Sequence, residues 1–471
     1  MVFSSHLFVY YFLPAALLVY YALPARARHW WLTVASYAFY GWANPAFTGL
    51  MLLSTGVDYL CGRRLGALPE SAGRRRRQWL GLSIISNLSL LGFFKYFNFA
   101  VDSYAALLAA LGLGQLAPEL GLRVVLPLGI SFYTFQSMSY TFDVYRGRAR
   151  PLHNLVDFAC YVSLFPQLVA GPIIRFSEIA DQLRDRTHSL EKFARGVAFF
   201  SLGMAKKVLL ANPCGFVADA AFDAGSLQPV EAWTGVLAYA FQIYFDFSGY
   251  SDMAIGLGLM LGFVFPKNFD SPYQAESLTD FWRRWHISLS TWLRDYLYVP
   301  LGGSRKGPRR TYVNLAIVML LGGLWHGAAW NFVVWGGLHG AWLALERALG
   351  KRSLYGGLPR PARVALTFSG VLLTWVFFRA PDLAGAWRYL AAMFGLADAA
   401  PAAALVGGVI DTPYSLLSLA LAALVTWSCP QTWDFTRRLT APRAALVAGL
   451  LVLALIAMAS QGYNPFIYFI F

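Results

Sequence analysis

One histidine stands in a run of the chain where polar chemistry is expensive. His326 lies in the stretch GGLWHGAAWNF, inside the segment from Tyr312 to Leu345, which has no Asp, Glu, Lys or Arg. An imidazole titrates near neutrality, so it can take a proton from a hydroxyl or thiol and return it later. Gly327 beside it leaves room for a substrate to approach. The residues alone allow two readings, a catalytic base or a packed histidine that bonds a neighbouring helix.

Two other histidines could belong to the same site. His286, in WRRWHISLS, is either a second polar group at that site or an interfacial residue beside arginines. His339, in GGLHG, follows His326 by a spacing that places the two about 220° apart on a straight helix. We therefore predict a structural or supporting role for His339.

A second polar pattern interrupts an apolar stretch at QIYFDFSGYSD, residues 242–252. Two carboxylates in an apolar span are costly, which favours a functional role. Asp246 and Tyr250 are four residues apart and share one helix face, with Ser248 close by. These three residues could line a polar tunnel or bond to neighbouring helices.

Several classes of chemistry have no support in the sequence. There is no HExxH, Walker loop, GxSxG or dinucleotide fingerprint, so metalloprotease, ATPase, hydrolase and nicotinamide chemistry are unsupported. The four cysteines show no CxxC or metal spacing. We predict no metal site and no permanently bound cofactor.

The composition is that of a polytopic helical membrane protein. Hydrophobic residues make up 58% of the 471 residues, and only 13% are charged, against about 25% in soluble proteins. Apolar runs long enough for a hydrocarbon layer of about 30 Å recur along the chain. We found no repeat or long linker and predict one integral domain over residues 1–471, without a soluble part that could bind nucleic acid.

The positive charge indicates how the chain crosses the membrane. The net charge is +14, and basic residues concentrate in loops at 63–77, 184–195 and 283–310. Because basic loops mark the cytoplasmic side, these loops are predicted to face the cytoplasm. No basic residue precedes the first apolar run, whereas Arg26 and Arg28 follow it, which predicts an outward N-terminus.

Hydropathy predicts a series of spans, some of them too short to cross fully and therefore tilted, re-entrant or half-helices. They are 5–23, a hairpin of 30–42 with 46–60, 79–96, 99–113, 124–142, 153–172, 191–211, 232–262, 312–326, 328–346, 362–379, 403–428 and 444–460. Between two of them, 266–310 has no clean span. Its piece 277–297 mixes tryptophans with arginines, the pattern of an interfacial helix, which we place on the cytoplasmic face, folded partly inward.

Taken together, these stretches resemble the membrane-bound O-acyltransferase (MBOAT) family, and within it the bacterial alginate O-acetyltransferase branch. The similarity extends over nearly the whole chain, and it is the ordered set of motifs that is specific. The motifs are LGISFYTFQSMSYTFDVYRG at 128–147, FPQLVAGPIIR at 165–175, YFDFSGYSDMAIG at 244–256, NFDSPYQAESLTDFWRRWHISLSTWLRDYLYVPLGG at 268–303, LWHGAAWNF at 324–332, FFRAPDL at 377–383 and NPFIYFIF at 464–471.

The resemblance implies a fold, an activity and roles for particular residues. The fold is an all-α bundle around a central transmembrane tunnel, with interfacial and re-entrant helices on the cytoplasmic side. The family's histidine corresponds to His326, as general base or nucleophile, and its second polar residue corresponds to His286. The predicted tunnel residues are Trp325, Asn331, Asp246, Tyr250 and Ser248.

The resemblance also implies a donor and a partner. The branch takes acetyl groups from a cytoplasmic donor, acetyl-CoA, and passes them across the bacterial inner membrane to a periplasmic acetyltransferase that completes an exopolysaccharide. Arg283, Arg284 and Arg294, on the basic face, are predicted to contact the donor phosphates. Membrane lipid is the other expected partner.

Two alternatives remain open at this stage. The residues do not exclude the sister branch, which moves D-alanine from a carrier protein towards teichoic acid, although the branch motifs and the long C-terminal part favour acetyl transfer. A transporter or flippase could also use buried polar groups to bind its substrate, although such proteins often contain inverted repeats.

The charge distribution predicts a measurable topology. In a cysteine-free background, single cysteines at Gly73 and Gly307 should react with an impermeant thiol reagent only after the cytoplasmic side is opened, because both adjoin basic loops. Labelling of either cysteine from the periplasmic side of intact spheroplasts would contradict the predicted orientation.

Overall fold

A computed structural model describes residues 1–117, 121–350, 353–397 and 403–466. Within these residues all regular structure is helical, which confirms the predicted all-α class. The chain divides into two compact units: the first contains residues 1–2 and 6–187, and the second contains Phe3–Ser5 and the described residues from His188 onward. The prediction of a single domain stays a prediction, since it is not tested by this division.

In the described part of the first unit there are eight α-helices, preceded by a π-helical turn at Phe8–Phe12. They are α1 (Leu13–Ala22), α2 (Ala25–Gly41), α3 (Ala46–Ala67), α4 (Gly73–Ala110), α5 (Ile130–Tyr145), α6 (Leu155–Ser163), α7 (Phe165–Leu168) and α8 (Phe176–Arg184). The predicted hairpin is confirmed by α2 and α3.

Three predicted spans of this unit were wrong. The spans 79–96 and 99–113 form one helix, α4, because the residues that join them include neither glycine nor proline. Its 38 residues give a length of about 57 Å at the usual rise per residue, more than a hydrocarbon layer requires. The span 153–172 is instead the two short helices α6 and α7, because the backbone leaves the helical conformation at Leu164, two residues before Pro166.

The second unit contains the remaining helices and the candidate site. They are α9 (Leu190–Ala205), α10 (Asn212–Phe222), α11 (Pro229–Met260), α12 (Leu278–Arg284), α13 (Ile287–Leu293), α14 (Gly307–His326), α15 (Trp330–Ala348), α16 (Arg360–Arg379), α17 (Leu383–Met393), α18 (Ala403–Ile410), α19 (Pro413–Ser428), α20 (Thr432–Phe435) and α21 (Ala441–Ser460). A π-helical turn at Lys206–Ala211 joins α9 to α10, and another at Arg294–Tyr298 follows α13.

Two further predictions failed in this unit. The span 403–428 breaks between α18 and α19, where Thr412 caps the new helix through its side chain and Pro413 occupies the first turn. The interfacial helix 277–297 is interrupted at Trp285 and His286, and His286 has a left-handed backbone with φ of 43°. Its aromatic residues Trp285 and Trp292 are buried in the protein, so this part of the segment is folded inward, and its position at the membrane interface stays a prediction.

Apolar helices support a membrane location. Among the described residues, α4, α16 and α21 are long and apolar enough to cross a membrane, and Phe8–Ala22 and α19 are shorter apolar helices. On α21 the side chains of Leu446, Val452 and Ile456 are exposed, as expected for a surface that faces lipid rather than water. The protein is an integral membrane protein.

The hairpin of α14 and α15 depends on glycines that allow the two backbones to touch. A Cβ atom added to Gly323 would lie 2.3 Å from the Phe332 carbonyl oxygen, and one added to Gly336 would lie 2.4 Å from the Met319 carbonyl oxygen. Because these obstacles are backbone atoms, a side chain at either position would force the helices apart. Small residues at helix interfaces allow this close packing in membrane proteins.

We therefore expect Gly336→Ala to destabilise the protein by about 1–3 kcal/mol, the usual range for overpacking. The adjacent Gly337→Ala is the matched control, because the nearest atom to its added Cβ would be 3.8 Å away. Thermal unfolding of both purified variants in detergent measures the difference. Equal melting temperatures would show that the two helices can separate without loss.

Candidate active site

His326 is the last residue of α14, at a point where the helix must stop. Gly327 is extended, and α15 begins only at Trp330. A Cβ on Gly327 would lie 2.1 Å from the ring of Phe332, so this sharp exit requires glycine. The break between the predicted segments 312–326 and 328–346 is confirmed. It leaves the His326 side chain partly exposed, as a residue that meets a substrate must be.

Aromatic rings surround the His326 imidazole. The ring centroids of Trp325, Trp335 and Phe378 lie 5.0, 5.3 and 5.1 Å from that of His326. Each of these rings is steeply inclined to the imidazole, at 82°, 86° and 69°. The rings restrict the imidazole to a narrow slot and reduce the local dielectric.

His286 is fully buried in the break between α12 and α13. Its Nδ1 lies 3.3 Å from Oδ1 of Asn268 and 3.4 Å from Oγ of Ser288. Its Nε2 is buried and has no hydrogen-bond partner among the residues that the structure describes. The ring of Phe247 packs edge-on against it at 4.6 Å.

His286 and His326 lie in the same region of the structure, and the ring of Trp325 packs against both imidazoles. The Trp325 ring lies 6.0 Å from the His286 ring and 5.0 Å from the His326 ring. Burial lowers the pKa of His286 well below its usual value, and a positive charge on His326 lowers it further. His286 is therefore neutral near pH 7, and its Nε2 can accept a proton or a hydrogen bond.

His339 has the hydrogen bonds of a structural histidine. Its Nδ1 accepts a bond from the indole of Trp282 at 3.1 Å, and its Nε2 is 2.9 Å from the hydroxyl of Thr374. The straight helix assumed for His326 and His339 was wrong, because the chain breaks between them. Both imidazoles contact the Trp335 ring, at 5.3 and 4.7 Å, so His339 supports a wall of the His326 slot.

A buried carboxylate, Glu346, joins the two histidine-bearing segments. It lies near the end of α15 and is fully buried. Its oxygens accept bonds from the backbone of Leu278 at 2.7 Å and of Thr279 at 2.8 Å, and from the Thr279 hydroxyl at 2.6 Å. A carboxylate at a helix N-terminus is stabilised by unpaired N–H groups and by the helix dipole.

Asp246 is held in an ion pair that the sequence did not reveal. Its carboxylate lies 2.9 Å from Nζ of Lys207, and both side chains are buried. Lys207 also donates to the carbonyl of Pro465. The Tyr250 ring stacks between Phe3, at 4.4 Å, and Phe466, at 4.9 Å. These residues make structural contacts, and the tunnel role predicted for them stays a prediction.

Ser248 borders a small polar cavity near the turn that carries His286. Its hydroxyl is buried and has no hydrogen-bond partner in the described part of the chain. The cavity is also lined by Lys206, Asp252, Asn268 and Gln431. Asp252 is already paired there, with Lys206 at 2.7 Å.

Asn331 ties the start of α15 to the end of α16. Its amide donates to the carbonyl of Phe377 at 3.1 Å and to that of Ala380 at 2.8 Å. The bonds satisfy carbonyls at a helix C-terminus that have no partner within the helix. Its predicted place in a tunnel is untested by these contacts.

The three arginines predicted to hold donor phosphates differ in their surroundings. Arg283 is exposed and has no ion-pair partner among the described residues. Arg284 pairs with Asp280 at 2.9 Å, and Arg294 pairs with the adjacent Asp295 at 2.7 Å. Arg283 is thus the one of the three whose guanidinium is available without breaking an ion pair.

Comparison with known proteins shows which family the chain is similar to. The model of "MBOAT, membrane-bound O-acyltransferase family" matches residues 137–378. The chain belongs to the membrane-bound O-acyltransferase family. It is an O-acyltransferase, and both His286 and His326 lie within the matched region.

Three individual relatives differ in how similar they are to this chain. A protein named probable alginate O-acetylase AlgI, from Pseudomonas putida, is 45% identical over 496 aligned residues that cover 100% of both chains. The peptidoglycan O-acetyltransferase of Helicobacter pylori is 39% identical over 84% of this chain and 80% of that protein. The teichoic acid D-alanyltransferase of Streptococcus thermophilus is more distant, 28% identical over 53% of this chain and 68% of its own length.

We expect His326→Ala to abolish acyl transfer while the protein still accumulates in the membrane. Loss of a proton-transfer group typically lowers the rate by about 10²–10⁴-fold. The exposed His6, changed to alanine, is the matched control. Near-normal transfer by a well-expressed His326→Ala variant would exclude His326 as the catalytic residue.

Proposed function

We propose that this O-acyltransferase takes acetyl groups from acetyl-CoA on the cytoplasmic side and passes them across the inner membrane for O-acetylation of an exopolysaccharide such as alginate. One arrangement is the main support for the proposal: partly exposed His326 and buried, neutral His286 lie on either side of Trp325. The names of the Pseudomonas and Helicobacter relatives support acetyl as the group transferred and a polysaccharide as its destination.

The site residues can carry out this transfer without other groups. In the proposed step the imidazole of His326 removes the proton of the acceptor hydroxyl, and the oxygen attacks the thioester carbonyl. The tetrahedral intermediate then expels the thiolate of CoA, which takes the proton back from the imidazolium. The products are an ester and free CoA, and the aromatic slot limits competing attack by water. Nucleophilic attack by His326 itself, through an acyl-imidazole, is the other route.

The charge of the chain supports a cytoplasmic entry for an anionic donor. The exposed guanidinium of Arg283 lies one helical turn before His286, on the segment that leads to it. A phosphate bound at Arg283 would therefore be near the path to the buried site. In this proposal the acceptor is a periplasmic acetyltransferase that arrives from the opposite face, where the N-terminus also lies.

D-alanyl transfer is the nearest alternative, and the lower identity of the Streptococcus protein makes it the weaker one. A transporter or flippase is less well supported, because membership of an acyltransferase family indicates bond-making chemistry.

A direct assay tests the proposed donor. The purified chain in proteoliposomes is incubated with acetyl-CoA labelled in the acetyl group, and release of free CoA and transfer of the label are measured with and without a periplasmic polysaccharide acetyltransferase as acceptor. We expect CoA release that depends on His326. Release only from a D-alanyl carrier protein, or uptake of intact substrate without cleavage, would contradict the proposal in favour of one alternative.

His286→Ala should lower turnover by less than His326→Ala and change donor binding little. The reason is that His286 is close to the reacting histidine but is itself fully buried. Steady-state kinetics that separate kcat from KM provide the measurement. Wild-type kcat in this variant would return His286 to a purely structural role.

A further inference from the structure

Asn268 makes most of the polar contacts around His286. It is 1% exposed and follows α11 in the chain. Its side-chain Oδ1 lies 2.9 Å from the Ser288 hydroxyl, 3.2 Å from the Ser288 backbone nitrogen and 3.3 Å from Nδ1 of His286. Its backbone carbonyl accepts a bond from Ile287 at 2.9 Å. Asn268 therefore contacts three consecutive residues at the start of α13.

The orientation of the Asn268 amide is fixed from its other side. Its Nδ2 donates to the hydroxyl of Ser251, on α11, at 2.8 Å. A reversed amide would direct N–H groups at the Ser288 backbone N–H, which is itself a donor. The carbonyl oxygen of the amide must therefore face His286.

This orientation decides which nitrogen of His286 carries the proton. A carbonyl oxygen can only accept, so the imidazole nitrogen that faces it must donate. The Ser288 hydroxyl has a single hydrogen, which the shorter bond to Asn268 uses. Neutral His286 is therefore protonated on Nδ1, and the lone pair is on Nε2, the atom that has no partner in the described residues.

We propose that Asn268 is a positioning residue that holds His286 as the Nδ1–H tautomer, so that His286 presents only a proton acceptor to the reaction at His326. The proposal rests on the proposed function for its catalytic meaning, but the tautomer itself does not depend on any donor. The left-handed backbone of His286, with φ of 43°, belongs to the same arrangement, because the bonds from Ile287 and Ser288 to Asn268 hold the turn closed.

Two substitutions separate positioning from simple structural support. Asn268→Leu removes the acceptor and frees the imidazole, so turnover should fall about 10–100-fold, the usual loss when the partner that orients a functional histidine is removed. Asn268→Asp keeps an acceptor but adds a negative charge beside Nδ1–H, which raises the pKa of His286. Since the neutral imidazole is the active form, the acid limb of the pH–rate profile should move upward by about one unit or more.

Asn314→Leu is the matched control. Asn314 is an equally buried asparagine in the same unit, and its amide donates to the carbonyls of Leu301 and Gly303 at 3.4 and 2.9 Å. Among the residues that the structure describes, it has no bond to a histidine. This variant should lose stability without any change in the pH–rate profile.

Solid-state NMR of the full chain, labelled at histidine and placed in bilayers, measures the tautomer of His286 in the absence of substrate. The His286 signals are identified by their loss in His286→Gln. We expect the Nδ1–H tautomer in the wild type and a loss of that preference in Asn268→Leu. An Nε2–H tautomer in the wild type, or an unmoved pH profile in Asn268→Asp, would overturn the proposal. Absence of acetyl-CoA cleavage with the expected tautomer present would instead refute only the proposed function.

Discussion

The contact between Glu346 and the N-terminus of α12 determines how the two histidine-bearing segments are arranged. His326 is carried by the α14–α15 hairpin, whereas His286 is carried by the broken segment of α12 and α13. Without a carboxylate at this point, the first backbone N–H groups of α12 would be buried with no acceptor, at about 1–3 kcal/mol for each unsatisfied group. The two backbone hydrogen bonds to Glu346 avoid this cost, and together with the bond from the Thr279 hydroxyl they fix α12 relative to α15. The distance between the two imidazoles then follows from the helix geometry on either side.

Aromatic rings pack between the three histidines and fix their positions relative to one another. Trp325 lies between His286 and His326, and Trp335 lies between His326 and His339. Rings in contact at 4.7–6.0 Å cannot move independently in a closely packed interior. The hydrogen bonds of His339 to Trp282 and Thr374 therefore help to hold the slot around His326, although His339 is fully buried and lies behind Trp335. Asn268 provides the equivalent support for His286.

The sequence was informative where local chemistry is unusual. The residues around His326 left open whether it is a catalytic base or a packed histidine, and the family resemblance favours the catalytic role, which stays a prediction. The break after α14 was predicted in the right place. The residues that support the site were missed for a physical reason. Asn268, Lys207 and Glu346 are ordinary polar residues whose partners lie on other elements, so only the folded packing brings them together. Hydropathy does not show where a helix continues or breaks. The predicted spans were therefore wrong at α4, which is one continuous helix, and at the break before α19. The tunnel and the binding of donor phosphates by the arginines remain predictions, because the hydrogen bonds and ion pairs of the structure do not test them.

The bond from Lys207 to the carbonyl of Pro465 has a consequence for biosynthesis. These residues are 258 positions apart, so α9, α10 and α11 leave the ribosome long before the segment that completes their polar contacts. The hydroxyl of Tyr463 likewise reaches the carboxylate of Asp219, 244 positions earlier. During translation the ammonium of Lys207 has Asp246 as a partner but lacks this second acceptor. The polar contacts of Lys207 and Asp219 can therefore be completed only after residues 463–465 have been synthesised, when α9, α10 and α11 are already formed.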